Sequence, residues 1–299
     1  MPNKYFIKST GLIKATGKDF IDYVNRMSTN DLRKFPTGEF RKTVLTTDKG
    51  RIIDLINVIN IPDRNLILTS YPYTEKVKAY LDKYIIMDDV QLKTTSGKYS
   101  LIIVSGEQLK SFAKTTFDID AEKNKIYKLN DTDILFIDDF RIETLNIICP
   151  EEKADQYKEL LKQSEMMNCA EYEYARIESG VPEAEGELNE NVNPVECGLQ
   201  KYISYNKGCY IGQEVIARLD SQGKIPKQMV SLVAAFPFKK DDKIILDDAK
   251  EAGWVSSVIG TEDKYHGLGF IRSINLDFEK KYFIESSGVK SEIIIIKIN

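Results

Sequence analysis

The first half of the chain alternates between apolar patterns that are typical of helices and of strands. In two segments the apolar residues recur every three to four positions, which is the spacing of a helix with one buried face. Short apolar runs bounded by turn residues lie between and after these segments and are typical of strands. The pattern predicts a helix that ends near residues 28–31, two strands over 43–61 that turn at 48–50, a strand over 65–70 and a helix over 71–87.

The same alternation recurs once further along the chain. It predicts a strand over 100–106, a short helix over 107–116, two strands over 133–149 and a helix over 150–165. Proline at the start of the last helix and acidic residues in its first turn are both favourable for helix initiation. We therefore expect an α+β chain with two related α+β lobes.

The pattern changes after residue 170. A helix is expected to about residue 179, and an unusually long loop with glycine, proline and many glutamates follows it. We expect the acidic run 183–190 to be solvated surface. Short strands at regular spacing then predict a small antiparallel barrel or sandwich. The chain is thus expected to divide into residues 1–226, which form the two lobes, and residues 227–299, which form the all-β domain.

Charge and composition narrow the classes of function. The chain has 42 Lys and Arg against 46 Asp and Glu, a net charge of −4 and a pI near 5.4. This balance disfavours direct binding to nucleic acid, which relies on clustered cations. No apolar run approaches the ~20 residues that span a bilayer, and the first residues lack the apolar core of a signal peptide. We expect a cytoplasmic protein that binds neither nucleic acid nor membrane directly.

Four cysteines and one histidine limit the chemistry further. No two cysteines form a C-x-x-C pair, which disfavours a zinc ribbon or a redox dithiol, and we expect no stably bound metal. In a reducing compartment all four should be free thiols. A cysteine or serine nucleophile could use only His266 as a histidine base. The cysteines are Cys149, Cys169, Cys197 and Cys209.

Cys209 is the sharpest chemical candidate. It lies in the block K-G-C-Y-I-G-Q-E, residues 207–214, ahead of a predicted helix for which Gly223 is the expected stop. The positive end of that helix, together with Lys207, would favour the thiolate. The alternative is a small buried residue in a glycine-rich turn.

Three carboxylates each allow two interpretations. Asp54 lies at the entrance to an apolar strand and is either exposed or a buried acceptor for a ligand donor. Exposure is the default, because lone buried carboxylates are costly. Glu178 could accept hydrogen bonds from the amino-pyrimidine edge of a heterocycle, or it could be a solvated helix end paired with Arg176. Glu196 has the same two interpretations.

The block at residues 207–214 resembles the signature of the YgfZ-type folate-binding proteins, which are relatives of the glycine-cleavage T-protein, an aminomethyltransferase. Further blocks match this family in order: STNDLRKF at 28–35, LTTDKGRIID at 45–54, RIESGVP at 176–182, NPVECGL at 193–199, GWVSS at 253–257 and GLGFIR at 267–272. The resemblance spans nearly the whole chain. It implies the three-lobed aminomethyltransferase fold, in which two α+β lobes and a C-terminal antiparallel β-barrel surround a central channel that holds tetrahydrofolate.

The resemblance also implies a set of site residues. Glu178 matches the carboxylate that faces the pterin amino-pyrimidine edge in T-proteins, and Asp54 matches the first aspartate of their G-G-x-x-D-D block. Arg176 and Lys207 are expected to line the same folate site, and Cys209 is the characteristic, functional thiol. The signature covers Lys207, Gly208, Cys209, Tyr210, Gly212, Gln213 and Glu214.

The chain departs from the transferase pattern at two positions. Leu55 stands where transferases have a second carboxylate, and Arg51 stands in place of their second glycine. The resemblance therefore implies the YgfZ branch: a tetrahydrofolate-binding accessory protein that supports assembly or repair of iron–sulfur proteins and, through them, tRNA modification. The implied partners are folate and iron–sulfur client or assembly proteins.

Two alternatives remain open. One is a folate-dependent aminomethyltransferase or demethylase that uses Asp54 as its acid/base group. The other is a thiol hydrolase or redox enzyme based on Cys209, for which the sequence offers a single distant histidine and no resolving cysteine pair.

Overall fold

The computed structural model describes residues 2–61, 64–95, 98–130, 132–223, 225–286 and 289–298. The chain forms two compact units, and each unit is assembled from separate segments. Unit 1 comprises Met1–Thr46, Ile53–Cys169 and Tyr202–Ile211, and unit 2 comprises Thr47–Ile52, Ala170–Lys201 and Gly212–Asn299. The predicted boundary near residue 226 stays a prediction.

Unit 1 is built on a ten-stranded sheet. Its strands are β1 (Lys4–Thr16), β2 (Glu39–Thr46), β3 (Ile52–Ile61), β4 (Arg64–Thr69), β5 (Gln91–Thr94), β6 (Tyr99–Ser105), β7 (Ile126–Lys128), β8 (Ile134–Asp138), β9 (Thr144–Pro150) and β10 (Glu165–Met166). Its helices are α1 (Phe20–Met27), α2 (Thr74–Asp82), α3 (Leu109–Phe117) and α4 (Ala154–Leu160). α2 and α4 are shorter than the sequence predicts at both ends, because a 3₁₀ turn precedes each of them and they already end at Asp82 and Leu160.

The long strand β1 joins the two halves of this sheet. The strand order is β2-β3-β4-β1-β6-β9-β8-β7, and β5 and β10 also pair with β1. β1 runs antiparallel to β4, with Ile13 opposite Ile67, and to β6, with Tyr5 opposite Val104. The sequence predicts no element here, because the polar and apolar residues of β1 do not alternate cleanly. At 13 residues, β1 is long enough for its two ends to take different partners.

Each half of the sheet buries its own pair of helices. α1 and α2 pack Phe20, Val24, Val77 and Leu81 into one core. α3 and the end of α4 pack Leu109, Ala113, Tyr157 and Leu161 into a second core. Burial of such side chains stabilises each half by about 1.5–3 kcal/mol per large residue. These two halves are the α+β lobes that the sequence predicts.

Unit 2 contains a closed six-stranded antiparallel barrel. Its strands are β11 (Lys227–Ala234), β12 (Lys243–Ile245), β13 (Glu251–Gly260), β14 (Tyr265–Arg272), β15 (Tyr282–Ser286) and β16 (Val289–Lys297), and its helices are α5 (Cys169–Glu178) and α6 (Gln213–Gln222). The order β11-β14-β13-β12-β15-β16 closes where β16 pairs with β11. The predicted all-β region is therefore a barrel and not a sandwich.

Two local features shape this unit. The register of β13 against β14 shifts between Val255 and Ser257, which marks a β-bulge at Ser256. α6 ends at Gly223, whose φ of 58° lies in the left-handed region, as the sequence predicts. Among the described residues, no helix is long and apolar enough to cross a membrane.

Candidate functional site

The signature cysteine is exposed in unit 1. Cys209 precedes the first residue of α6, Gln213, by four positions in the chain, and its thiol is free. The residue before that helix, Gly212, has a φ of 84°, which explains the glycine in the signature. Tyr210 is buried, and burial raises the pKa of its hydroxyl. The expectation that Cys209 is exposed is confirmed, whereas its placement at a helix start and its functional role stay predictions.

Lys207 is buried two residues before the thiol. Its Nζ donates to the backbone carbonyls of Asn25, Ser28 and Asn30, the last two at 2.7 Å. These carbonyls lie at the C-terminal end of α1, where a helix leaves carbonyl groups without intrahelical partners. An ammonium has three N–H donors, so these bonds use all of them. Burial lowers the pKa of Lys207 to about 8 against the opposing charge of Asp31. Lys207 therefore fastens the signature segment to α1.

Asp54 is fully buried in unit 1, so the expected exposure is wrong. Its Oδ1 accepts hydrogen bonds from the Ser70 hydroxyl at 2.8 Å and from the Leu55 N–H at 2.9 Å. Its Oδ2 accepts the Ser70 N–H at 2.9 Å. Burial raises the pKa of Asp54 to about 6, although the bonds from Ser70 and Leu55 act in the opposite direction. This carboxyl can therefore exchange a proton near neutral pH.

Glu178 and Arg176, in the last turn of α5, differ in burial. Glu178 is exposed, and its Oε1 accepts a hydrogen bond from the Tyr174 hydroxyl at 3.0 Å. Arg176 is buried, and its Nη1 donates to the carbonyl of Val181 at 2.7 Å and to Glu187 at 3.1 Å. The local Arg176–Glu178 pair considered from the sequence is thus replaced by internal contacts of Arg176. Glu178 keeps most of its four lone-pair sites for external donors.

The sequence predicts the wrong environment for Glu187. The acidic run was expected to be solvated, yet Glu187 is fully buried in unit 2. Its Oε1 accepts from the hydroxyls of Ser256 at 2.7 Å and Ser257 at 2.6 Å. Its Oε2 accepts from Arg176 and from the Glu183 N–H, both at 3.1 Å. The acidic loop is therefore fastened to the barrel and to α5 through one carboxylate.

A second buried carboxylate, Glu196, holds the turn that follows in unit 2. It accepts the Asn193 N–H at 2.8 Å and lies 3.4 Å from Lys227 and 3.6 Å from Arg51. Burial raises the pKa of Glu196, although these neighbours act in the opposite direction. Arg51 also donates to the carbonyl of Asn191 at 3.2 Å. Arg51 therefore braces the acidic loop.

A cleft of about 290 Å³ lies beside the Glu187 network in unit 2. It is lined by Glu173, Arg176, Glu183, Ala184, Glu185, Gly186, Lys240, Ser256, Ser257 and Val258. Arg176, Ser256 and Ser257 in this lining are already bonded to Glu187. Within the described ranges, no group of three or more His, Cys, Asp or Glu side chains is arranged to hold a metal ion.

The predicted site residues belong to different units. Asp54, Lys207 and Cys209 lie in unit 1, whereas Arg176 and Glu178 lie in unit 2. Arg176, Lys207 and Asp54 are the buried members of the set, and Glu178 and Cys209 are the exposed ones. The sequence alone does not show that Lys207 and Asp54 are buried, because their partners include residues distant in the chain.

Comparison with known proteins places the chain among aminomethyltransferase-like proteins. The GCVT N-terminal domain family matches residues 7–207. A putative chloroplastic transferase of Arabidopsis thaliana is 26% identical, over 95% of this chain and 68% of that protein. An aminomethyltransferase of Aquifex aeolicus is 25% identical, over 77% of this chain and 64% of that protein. The tRNA-modifying protein YgfZ of Hamiltonella defensa is 23% identical, over 93% of this chain and 84% of that protein.

A solved structure shares the fold. The glycine cleavage system aminomethyltransferase T from Bartonella henselae superposes with a TM-score of 0.87 over 99% of this chain and 86% of that chain, at 15% identity. At this identity the likeness shows the fold alone. The chain spans less than two thirds of the Aquifex protein's length. The predicted aminomethyltransferase fold and the resemblance to YgfZ and T-protein relatives are confirmed.

Proposed function

Because the chain belongs to the family of the GCVT N-terminal domain, we propose that it binds tetrahydrofolate or a related folate and supports the assembly or repair of iron–sulfur proteins. In this proposal it is a cytoplasmic accessory protein that serves tRNA modification indirectly, through iron–sulfur clients. It holds no metal stably and contacts neither nucleic acid nor membrane. The observation that carries the proposal is the K-G-C-Y-I-G-Q-E block with its exposed Cys209.

The folate part of the proposal rests on Glu178. A carboxylate binds an amino-pyrimidine edge by accepting two N–H donors, which requires an accessible side chain with lone pairs to spare. Glu178 meets both conditions, since it is exposed and the bond from Tyr174 occupies one lone pair of Oε1. Arg176, on the same helix as Glu178, supports this site by donating to the buried carboxylate of Glu187, and Lys207 donates to buried carbonyls of unit 1. When bound, folate would either carry a one-carbon unit or stabilise one conformation of the protein through its pterin ring.

Titration with tetrahydrofolate under anaerobic conditions tests this assignment. We expect the wild type to bind and Glu178→Ala to bind about 10- to 100-fold more weakly, which is the effect of losing a charge-assisted pair of hydrogen bonds. Glu262→Ala, which changes an exposed carboxylate in a barrel turn, is the matched control and should bind like the wild type. Wild-type protein that gives no binding signal would exclude the folate proposal. Equal affinity of Glu178→Ala would exclude Glu178 as the contact.

The iron–sulfur part of the proposal rests on Cys209. A bacterial strain that lacks its own YgfZ relative provides the assay, with the activity of a 4Fe–4S enzyme as the readout. We expect the wild-type chain to restore that activity and Cys209→Ala to restore several-fold less. Cys169→Ala is the matched control, because Cys169 is the other exposed thiol. Full restoration by Cys209→Ala would rule out a role for the thiol.

One observation favours a second candidate function, a one-carbon transferase or demethylase. Asp54 has a pKa near 6, so it can hold or release a proton at physiological pH as an acid/base group requires. Its two oxygens are already engaged by Ser70 and Leu55, and Arg51 occupies the glycine position of the transferase block. We rank this function second for these reasons. Turnover of an aminomethyl donor with tetrahydrofolate, abolished by Asp54→Asn, would move it to first place.

A further inference from the structure

Two large apolar side chains project from unit 1 next to each other. Ile86 is 86% exposed and Met87 is 93% exposed, in the loop that follows α2. We call this pair the knob. Single exposed apolar residues are common on protein surfaces, but adjacent and almost fully exposed ones are a feature of interaction sites.

The loop that carries the knob is held firmly at both ends. Before the knob, Tyr84 and Ile85 pack against the first core of unit 1, and Val90 is buried in that core after it. The Asp89 N–H donates to the Asp19 carboxylate at 2.8 Å. The knob is therefore presented by an ordered backbone, so a partner that binds it incurs little loss of conformational entropy.

The knob and the thiol segment are anchored to one residue. The side chain of Arg26 forms an ion pair with Asp88, which directly follows the knob. The backbone carbonyl of Arg26 accepts the N–H of Ile211, two residues after Cys209. The segment that carries the exposed thiol and the loop that carries the knob are therefore both anchored at the C-terminal end of α1.

The charges around the knob favour a protein over a phosphate backbone as its occupant. Asp88 and Asp89 follow the knob, and Arg26 lies between Asp88 and Asp22. Together with Asp19, these four carboxylates outnumber the three cations of the same two segments, which are Lys18, Arg26 and Lys83. Nucleic-acid binding draws on clustered cations, whereas an apolar tip with an acidic rim complements an apolar pocket with a basic rim.

We propose that the knob is a docking element for a protein partner, and that this partner is an iron–sulfur client that receives Cys209 at the same contact. The inference rests on the proposed function and adds the partner class: a protein with an apolar pocket and a basic rim, and not tRNA. Methionine suits such a contact, because its flexible thioether adapts to pockets of different shape.

Photo-crosslinking identifies the occupant. The chain carries Met87→p-benzoylphenylalanine in a bacterial strain that lacks its own YgfZ relative, and Ile274→p-benzoylphenylalanine is the control, since Ile274 is 88% exposed in unit 2. We expect an RNase-resistant adduct with an iron–sulfur protein at position 87 and none at position 274. No adduct, an RNase-sensitive adduct, an adduct with a second copy of the chain or one with a protein that holds no cluster would each overturn the inference.

Affinity and function provide the quantitative test. With the crosslinked iron–sulfur protein purified as the probe, Ile86→Ser combined with Met87→Ser should bind about 100-fold more weakly, and Ile274→Ser should bind like the wild type. The double variant should retain its tetrahydrofolate affinity and its unfolding transition, because both side chains are exposed. Unchanged affinity for the probe would overturn the inference. Failure of the wild-type chain to bind folate or to restore 4Fe–4S enzyme activity would instead count against the proposed function.

Discussion

Glu187→Ala should destabilise unit 2 far more than any other single change in the acidic loop. The substitution leaves the buried guanidinium of Arg176 without one of its two carboxylate partners and removes the acceptor of the Ser256 and Ser257 hydroxyls. Breaking a buried ion pair from one side costs about 3–5 kcal/mol. Glu173 limits the loss because it still pairs with Arg176, whereas the two unpaired serine hydroxyls add to it. We therefore expect the free energy of unfolding to fall by about 4 kcal/mol, the middle of this range. This is a large share of the roughly 5–15 kcal/mol that is typical of a folded protein.

The single tryptophan of the chain makes this loss measurable in unit 2 itself. Trp254 lies on β13, two residues before Ser256, and its ring stacks on Phe270. Its fluorescence during urea unfolding therefore reports the barrel. For a slope of about 2 kcal/mol per molar urea, a loss of about 4 kcal/mol lowers the midpoint by about 2 M.

Two further variants distinguish the ion pair from a general effect of loop mutations. Glu187→Gln keeps an acceptor for the serines but turns an amide donor towards Arg176, so we expect about half of the loss. Glu190→Gln changes an exposed carboxylate of the same loop and should stay within about 0.5 kcal/mol of the wild type. The reasoning fails if Glu187→Ala shifts the midpoint no more than Glu190→Gln does.

The remaining predictions concern unit 1. Burial raises the pKa of Asp54 from its ordinary 3.8 to about 6 in the folded protein, so the folded state binds more protons than the unfolded state between these pH values. The free energy of unfolding should therefore fall by up to about 3 kcal/mol as the pH rises from about 4 to about 6. Urea titrations of Asp54→Asn should lack this pH dependence, and an unchanged dependence would contradict the prediction. Lys207→Met leaves three carbonyls at the end of α1 without their donor. It should lower the free energy of unfolding, followed by circular dichroism, by about 2–4 kcal/mol. A loss below about 0.5 kcal/mol would show that Lys207 does not stabilise this contact. Native protein should react with iodoacetamide at Cys169 and Cys209 alone, and mass spectrometry that finds a third labelled thiol would refute the burial of the other two.

Local pattern accounts for much of the fold. Helical spacing placed α1 and α5, short apolar runs placed the barrel strands, and the stop at Gly223 followed from glycine chemistry. The exposure of Cys209 agreed with its position between turn residues. These features depend on neighbours in sequence, so the sequence by itself was sufficient for them.

The sequence was not sufficient where a side chain finds its partner far along the chain. Glu187 reads as one more acidic loop residue, but its serine partners lie 69 and 70 residues away. Lys207 likewise reads as a cation beside the thiol, yet its acceptors lie 177 to 182 residues earlier. The type of residue determines which hydrogen-bond or ion-pair partner a charged side chain needs when it is buried. The tertiary packing determines whether the side chain is buried at all.

The two serines of β13 show most clearly what cannot be predicted from the sequence pattern. Adjacent residues of a regular strand point to opposite faces, so Ser256 and Ser257 could not both reach one carboxylate from sequence pattern alone. The bulge at Ser256 turns both hydroxyls towards Glu187. The sequence determined that this segment is a strand of a barrel, and only the tertiary structure decided where its pleat is interrupted, because the interruption is stabilised by a buried charge from another part of the chain.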